Sequence, residues 1–80
     1  MQRRTIEIAE LYGFSMTRHG VLNSGISEIS ENGSGPGFNI RFLARDGTYS
    51  NKPTEYSHDI RSAIKIASEG FEYESYKLHS

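Results

Sequence analysis

The ten residues that decide the fold read Phe38-Asn39-Ile40-Arg41-Phe42-Leu43-Ala44-Arg45-Asp46-Gly47. Phe38, Ile40 and Phe42 alternate with the polar Asn39 and Arg41. Such period-two alternation is typical of a strand with one buried face. We therefore expect a strand over residues 38–44 that turns its aromatic and aliphatic side chains towards the core.

A hairpin turn should follow this strand. Asp46-Gly47 is a residue pair that tolerates the positive φ angles of a tight turn. A short return strand is expected from Thr48 to Ser50, and Pro53 should end it because proline cannot donate a ladder hydrogen bond.

The clearest helix pattern follows the return strand. Its apolar residues recur at helical spacing and form one stripe: Tyr56, Ile60, Ala63, Ile64 and Ala67. Ser57 is the expected N-cap, Asp59 lies where the helix dipole favours an anion, and Gly70 is expected to end the helix. Phe71 to Leu78 contains three aromatic residues and is expected to form a last strand.

The first half of the chain has weaker patterns. Arg4 to Tyr12 is expected to be a short helix, with a strand as the alternative because isoleucines alternate with a glutamate there. Phe14 to Ser30 predicts one or two irregular strands interrupted by glycines. Asn32 to Gly37 is a glycine-rich loop, and a phosphate-binding role for it is disfavoured because a strand, not a helix, should follow. We expect this loop to be mobile.

These elements predict one α+β domain spanning residues 1–80. A small antiparallel sheet of three to four strands should carry two helices on one face, in the order α-β-β-β-α with an optional final strand. The expected core comprises Ile8, Leu11, Phe14, Phe38, Ile40, Phe42, Ile60, Ile64 and Ala67.

The amino-acid composition limits the classes of function that we expect for this chain. The net charge is −1, from nine Lys and Arg against ten Asp and Glu, whereas dedicated nucleic-acid binders usually have a basic surplus. The chain has no cysteine, which fits a reducing cytoplasm, and no apolar run long enough to cross a bilayer. His19, His58 and His79 lack metal-ligand spacing, so no metal, other cofactor or catalytic activity is expected.

Two partial resemblances point to nucleic acid instead. Ile8-Ala9-Glu10-Leu11-Tyr12-Gly13-Phe14-Ser15 resembles the first helix and turn of bacterial helix-turn-helix repressors, although His19 and Gly20 depart from that pattern. The α-β-β-β-α order is similar to double-stranded-RNA-binding domains. Those domains have a lysine cluster where this chain has Ser57-His58-Asp59-Ile60-Arg61.

The residues expected to contact a partner lie on the outer face of the best strand. Arg41 and Arg45 flank Leu43 there, and Tyr49 follows on the return strand. Tyrosine and arginine are frequent hot spots of protein interfaces, and an apolar residue between arginines resembles the mixed core and rim of a binding patch. The alternative is that the tyrosine edges the core and the arginines are only solvated.

We therefore expect a non-catalytic protein-binding module whose partner is another protein or a ribonucleoprotein complex. Small cysteine-free domains without motifs are frequent among phage and mobile-element proteins that block host machinery, including anti-CRISPR and other anti-defence inhibitors. A small nucleic-acid-binding regulator is the alternative.

Overall fold

The computed structural model describes the backbone of residues 1–79 and the side chains of residues 1–69. The elements follow in the order α1 (Arg3–Glu10), β1 (Ser15–Met16), β2 (Leu22–Asn23), β3 (Ser27–Glu31), β4 (Phe38–Phe42), β5 (Glu55–Ser57) and α2 (Ile60–His79). Within residues 1–79 the strands form one five-stranded antiparallel sheet in chain order. The α+β class is confirmed, whereas the expected three to four strands are too few.

The hairpin of β3 and β4 is the centre of the sheet. Ile29 lies opposite Ile40, and Glu28 lies opposite Arg41. The loop that joins the strands is closed by a 3.0 Å hydrogen bond from the Asn32 amide to the Gly37 carbonyl. Gly37 has a φ of 109°, a backbone conformation that favours glycine. The expected strand at residues 38–44 is therefore present, and it is slightly shorter than predicted.

The return from β4 is interrupted. Tyr49 pairs with Leu43 in an isolated bridge, and the Ser50 amide donates to the Phe42 carbonyl at 2.9 Å. The chain then leaves the sheet over residues 51–54, and pairing with β4 resumes where Glu55 lies opposite Ile40. The predicted return strand at residues 48–50 is thus a single bridge, and β5 continues its course.

The segment from Phe14 to Ser30 holds three strands rather than one or two. Gly20 and Gly25, with φ angles of 80° and 91°, lie in the two turns that separate them. In the second turn the Asn23 side-chain oxygen also accepts a 2.6 Å hydrogen bond from the Gly25 amide. These short turns allow β1 and β2 to extend the sheet as a meander.

Both helices pack on one face of the sheet. The buried apolar core comprises Ala9, Phe14, Leu22, Ile29, Ile40, Phe42, Ile60, Ala63, Ile64 and Ala67. Most of the expected core is confirmed, but Ile8 and Phe38 are only half-buried. Leu11 is 83% exposed, because it lies two residues beyond the buried Ala9 and thus about 200° around the helix.

The start of α2 differs from the prediction. Tyr56 and Ser57 belong to β5, and the helix begins at Ile60. The N-cap is Asp59 rather than Ser57, because the Asp59 carboxylate accepts a 2.8 Å hydrogen bond from the Ser62 amide. This bond lowers the pKa of Asp59 below its ordinary value.

The prediction of a final strand is wrong. The backbone of α2 remains helical through Gly70 to His79, so the predicted strand at residues 71–78 and the predicted helix end are both absent. A glycine inside a helix costs only about 1 kcal/mol, and each added residue of a formed helix gains a hydrogen bond. Neither α1 nor α2, within the described residues, is long and apolar enough to cross a membrane.

Candidate binding surface

The face of the sheet opposite the helices carries a mainly polar set of residues, here called the open face. Cross-strand partners share a face, and alternate residues of a strand point to opposite faces. Since Leu22, Ile29 and Ile40 point to the core, the open face consists of Ser15, Asn23, Glu28, Ser30, Asn39, Arg41, Leu43, Tyr49 and Tyr56. Within the described residues, no helix packs over it.

Three side chains form a connected cluster at the centre of this face. The Arg41 guanidinium lies over the Tyr49 ring, with 3.5 Å between its Cζ atom and the ring centroid. The Tyr49 hydroxyl donates a 2.8 Å hydrogen bond to Glu28. Glu28 in turn lies directly opposite Arg41 in the β3–β4 ladder. The cluster therefore holds an exposed aromatic ring and an arginine in fixed positions.

The hydrogen bond to Glu28 also shifts the pKa of Tyr49. That bond, followed by the negative charge of Glu28, raises the pKa of the Tyr49 phenol above its ordinary value. The bond holds the phenol in its protonated form, because the hydroxyl donates its proton to the Glu28 carboxylate. Its role in the cluster is to bind and position its neighbours.

A second tyrosine lies at the loop end of the face. The Tyr56 hydroxyl donates a 2.7 Å hydrogen bond to the Pro36 carbonyl, and the ring lies against Gly37. The His58 ring contacts the Tyr56 ring edge to face, with 5.6 Å between centroids. Tyr56 is still 44% exposed, so it both fixes the loop and presents its ring to solvent.

The structure brings together three of the four predicted binding residues. Arg41, Leu43 and Tyr49 are neighbours on the open face. Arg45 lies instead in the exposed turn at Asp46-Gly47, and no side chain among residues 1–69 forms an ion pair or ring contact with it. The two-residue spacing from Leu43 to Arg45 predicted a shared face, but the strand ends before the turn.

Sequence reasoning missed Glu28 and Tyr56. Ser27 and Ile29 alternate with Glu28, which marks Glu28 as outward-facing, but only the register shows that it meets Arg41. Tyr56 fits the apolar stripe of α2 equally well, and this fit concealed its place in β5.

The local geometry also bears on the other predicted sites. Ser15 and Met16 form β1 where a helix-turn-helix would begin its second helix, so that resemblance ends at the turn after α1. His19 and His58 are both exposed, while the His79 side chain lies outside the described residues. No three His, Asp or Glu side chains of the described part are grouped closely enough to hold a metal ion.

No known protein family, no curated protein and no solved structure matches this chain.

Proposed function

We propose that this chain is a non-catalytic protein-binding module of the cytoplasm that contacts its partner protein through the open face. The observation that carries the proposal is the Arg41–Tyr49–Glu28 cluster on a sheet face that no helix of the described residues covers. Tyrosine and arginine supply much of the binding energy in many protein interfaces. Because contacts within the cluster already position these side chains, little conformational entropy remains to be lost on binding.

The charge of the open face favours protein over nucleic acid as the partner. Among the nine described residues assigned to this face, only Glu28 and Arg41 are charged, and they lie opposite each other. Surfaces that bind nucleic acid neutralise several phosphates with clustered lysines and arginines. A face with balanced charge, serines, asparagines and two exposed tyrosines instead resembles the polar, aromatic composition of protein interfaces.

We further propose that binding serves to block a larger complex, as an accessory or inhibitor protein of a phage or mobile element does. Anti-CRISPR and other anti-defence inhibitors are the class we favour. A single ordered face on an 80-residue chain suits this mode of action, because occupying a surface of the target requires no catalytic group.

Affinity capture with matched variants tests the proposal. The wild-type chain, an Arg41→Gln/Tyr49→Ser variant and an Arg4→Gln control are immobilised and exposed to host lysate, with and without nuclease treatment. Arg4 is an exposed arginine of α1 and lies away from the open face, so the control removes the same charge elsewhere. We use glutamine at position 41 because a glutamate there would face Glu28 across the ladder.

We expect a protein that wild type and the Arg4 control recover equally and the open-face variant loses. An Arg45→Gln variant should retain it, since Arg45 lies outside the cluster. Equal recovery by the open-face variant would refute the assignment of the surface. A partner that disappears on nuclease treatment would favour the nucleic-acid alternative.

A further inference from the structure

A groove between the two helices forms a second surface, away from the open face. Its volume is about 320 Å³, at the lower end of the range of roughly 300–1,000 Å³ that is usual for ligand pockets. Its walls come from the turn after α1 and from the first half of α2: Tyr12, Arg61, Ile64, Lys65 and Ser68. Ile64 is buried, so the floor of the groove is the surface of the core itself.

Two apolar side chains stand exposed in the turn after α1: Tyr12, which lines the groove, and its chain neighbour Leu11, which lies beside the lining. Leu11 is 83% exposed and the adjacent Tyr12 is 58% exposed. The backbone fixes both of them, because the amides of Tyr12 and Phe14 donate to the Ala9 carbonyl at 3.0 and 3.1 Å while the Phe14 ring is buried in the core. The pair therefore forms a fixed apolar projection rather than a frayed helix end.

The α2 wall supplies positive charge. Arg61 and Lys65 lie one helical turn apart and are both exposed. Neither side chain forms an ion pair with any side chain among residues 1–69. The nearby Asp59 carboxylate accepts hydrogen bonds from the Ser62 amide and hydroxyl. The groove thus combines apolar surface with two cations that lack a described acidic partner.

We propose that this groove binds an acidic amphipathic segment of a partner protein. An apolar side chain of that segment would pack against Tyr12 and Ile64, and its carboxylates would contact Arg61 and Lys65. Charge complementarity selects this occupant. The exposed Leu11 favours a peptide over nucleic acid, because an aliphatic side chain gains little beside phosphates and two cations make a small phosphate footprint.

Binding of a defined probe to the full chain tests the proposal. The probe is a fluorescein-labelled helical peptide with leucines on one face and glutamates on the other, and binding is followed by anisotropy and by amide chemical shifts. We expect binding that weakens with added salt and shifts that centre on Leu11, Tyr12, Arg61 and Lys65. A matched peptide with lysines in place of glutamates should not bind.

Variants separate the groove from the open face. Arg61→Gln/Lys65→Gln should weaken peptide binding by about threefold to tenfold, as expected for the loss of two exposed ion pairs. Leu11→Ser should weaken it without changing the fold, since Leu11 is outside the core. Arg41→Gln/Tyr49→Ser should leave it unchanged, so a failure here is distinct from a failure of the open-face proposal.

Three results would overturn the inference: no binding of the acidic peptide, shifts that centre on the open face, or equal affinity in the Arg61→Gln/Lys65→Gln variant. Tighter binding of a labelled DNA or RNA duplex, lost in the same variant, would also overturn it and would assign the groove to nucleic acid.

Discussion

Replacing Gly37 by alanine should destabilise the protein through the contact between Gly37 and Tyr56. Gly37 has a φ of 109°, which alanine rarely adopts. An added Cβ would also lie 2.7 Å from the Cε2 and Cζ atoms of Tyr56, and closer still to its hydroxyl oxygen. The Tyr56 ring would have to move, and its hydrogen bond to the Pro36 carbonyl would be lost.

The magnitude follows from three contributions. Backbone strain at a residue with unfavourable φ costs about 1–3 kcal/mol. The lost hydrogen bond costs about 1 kcal/mol. The lower conformational entropy of the unfolded chain with alanine at this position offsets roughly 0.4–1 kcal/mol of this destabilisation. We therefore expect Gly37→Ala to lower the free energy of unfolding by about 1–3.5 kcal/mol.

A double-mutant cycle isolates the contact with the ring. In a Tyr56→Ala background the strain remains but the collision is absent, so Gly37→Ala should cost about 1 kcal/mol less than in the wild type. Urea unfolding followed by circular dichroism measures each variant. Gly35→Ala is the matched control, because an added Cβ meets no atom within 4 Å there and no strain is expected. Additive costs of Gly37→Ala and Tyr56→Ala would refute the reasoning.

Three further predictions concern other parts of the fold. Phe42→Ala should lower the free energy of unfolding by about 3–5 kcal/mol in thermal or urea unfolding, because the ring is buried; a loss below about 1 kcal/mol would contradict its place in the core. Asp59→Ala should destabilise α2 more than Asp59→Asn, since asparagine retains the cap. Because the pKa of Asp59 is lower in the folded protein than in the unfolded chain, the ionised carboxylate stabilises the fold at pH values above the unfolded pKa. This contribution should fade as the pH falls through the folded pKa, and Asp59→Asn should remove that dependence on pH. In an ultraviolet titration the phenol of Tyr49 should ionise at higher pH than a free tyrosine, and its stabilising contribution should fade as the pH rises through that raised pKa. Glu28→Gln should lower the pKa of Tyr49, and an unchanged pKa would contradict the hydrogen bond between the two residues.

The parts of the fold that could be predicted are those with strong local periodicity. The alternation around Ile40 and the stripe through Ile60 and Ile64 each bury one face, so pattern and structure agree. Leu11 was misplaced because α1 is short and its isoleucines fit more than one helical face. The last segment was misplaced because aromatic residues at its alternate positions fit a strand, while the backbone simply continues the helix.

The candidate surface was predictable only in part, for a related reason. Strand alternation placed Arg41 and Leu43 on the outer face, and the turn at Asp46-Gly47 returned Tyr49 beside them. The partnership with Glu28 depends on the register of β3 against β4, which the loop at residues 32–37 sets and which local pattern does not reveal.

The excursion at residues 51–54 has a consequence for self-association. Without it, pairing along β4 would run unbroken from Tyr49 to Ser57 and leave one long outer strand with free backbone groups. Such strands recruit further chains and promote aggregation, and proteins counter this with short outer strands, proline and lysine. Here Pro53 and Lys52 lie in the excursion, and the strand at the opposite margin, β1, is only two residues long. The sheet therefore ends on both sides in strands too short to template the addition of another copy.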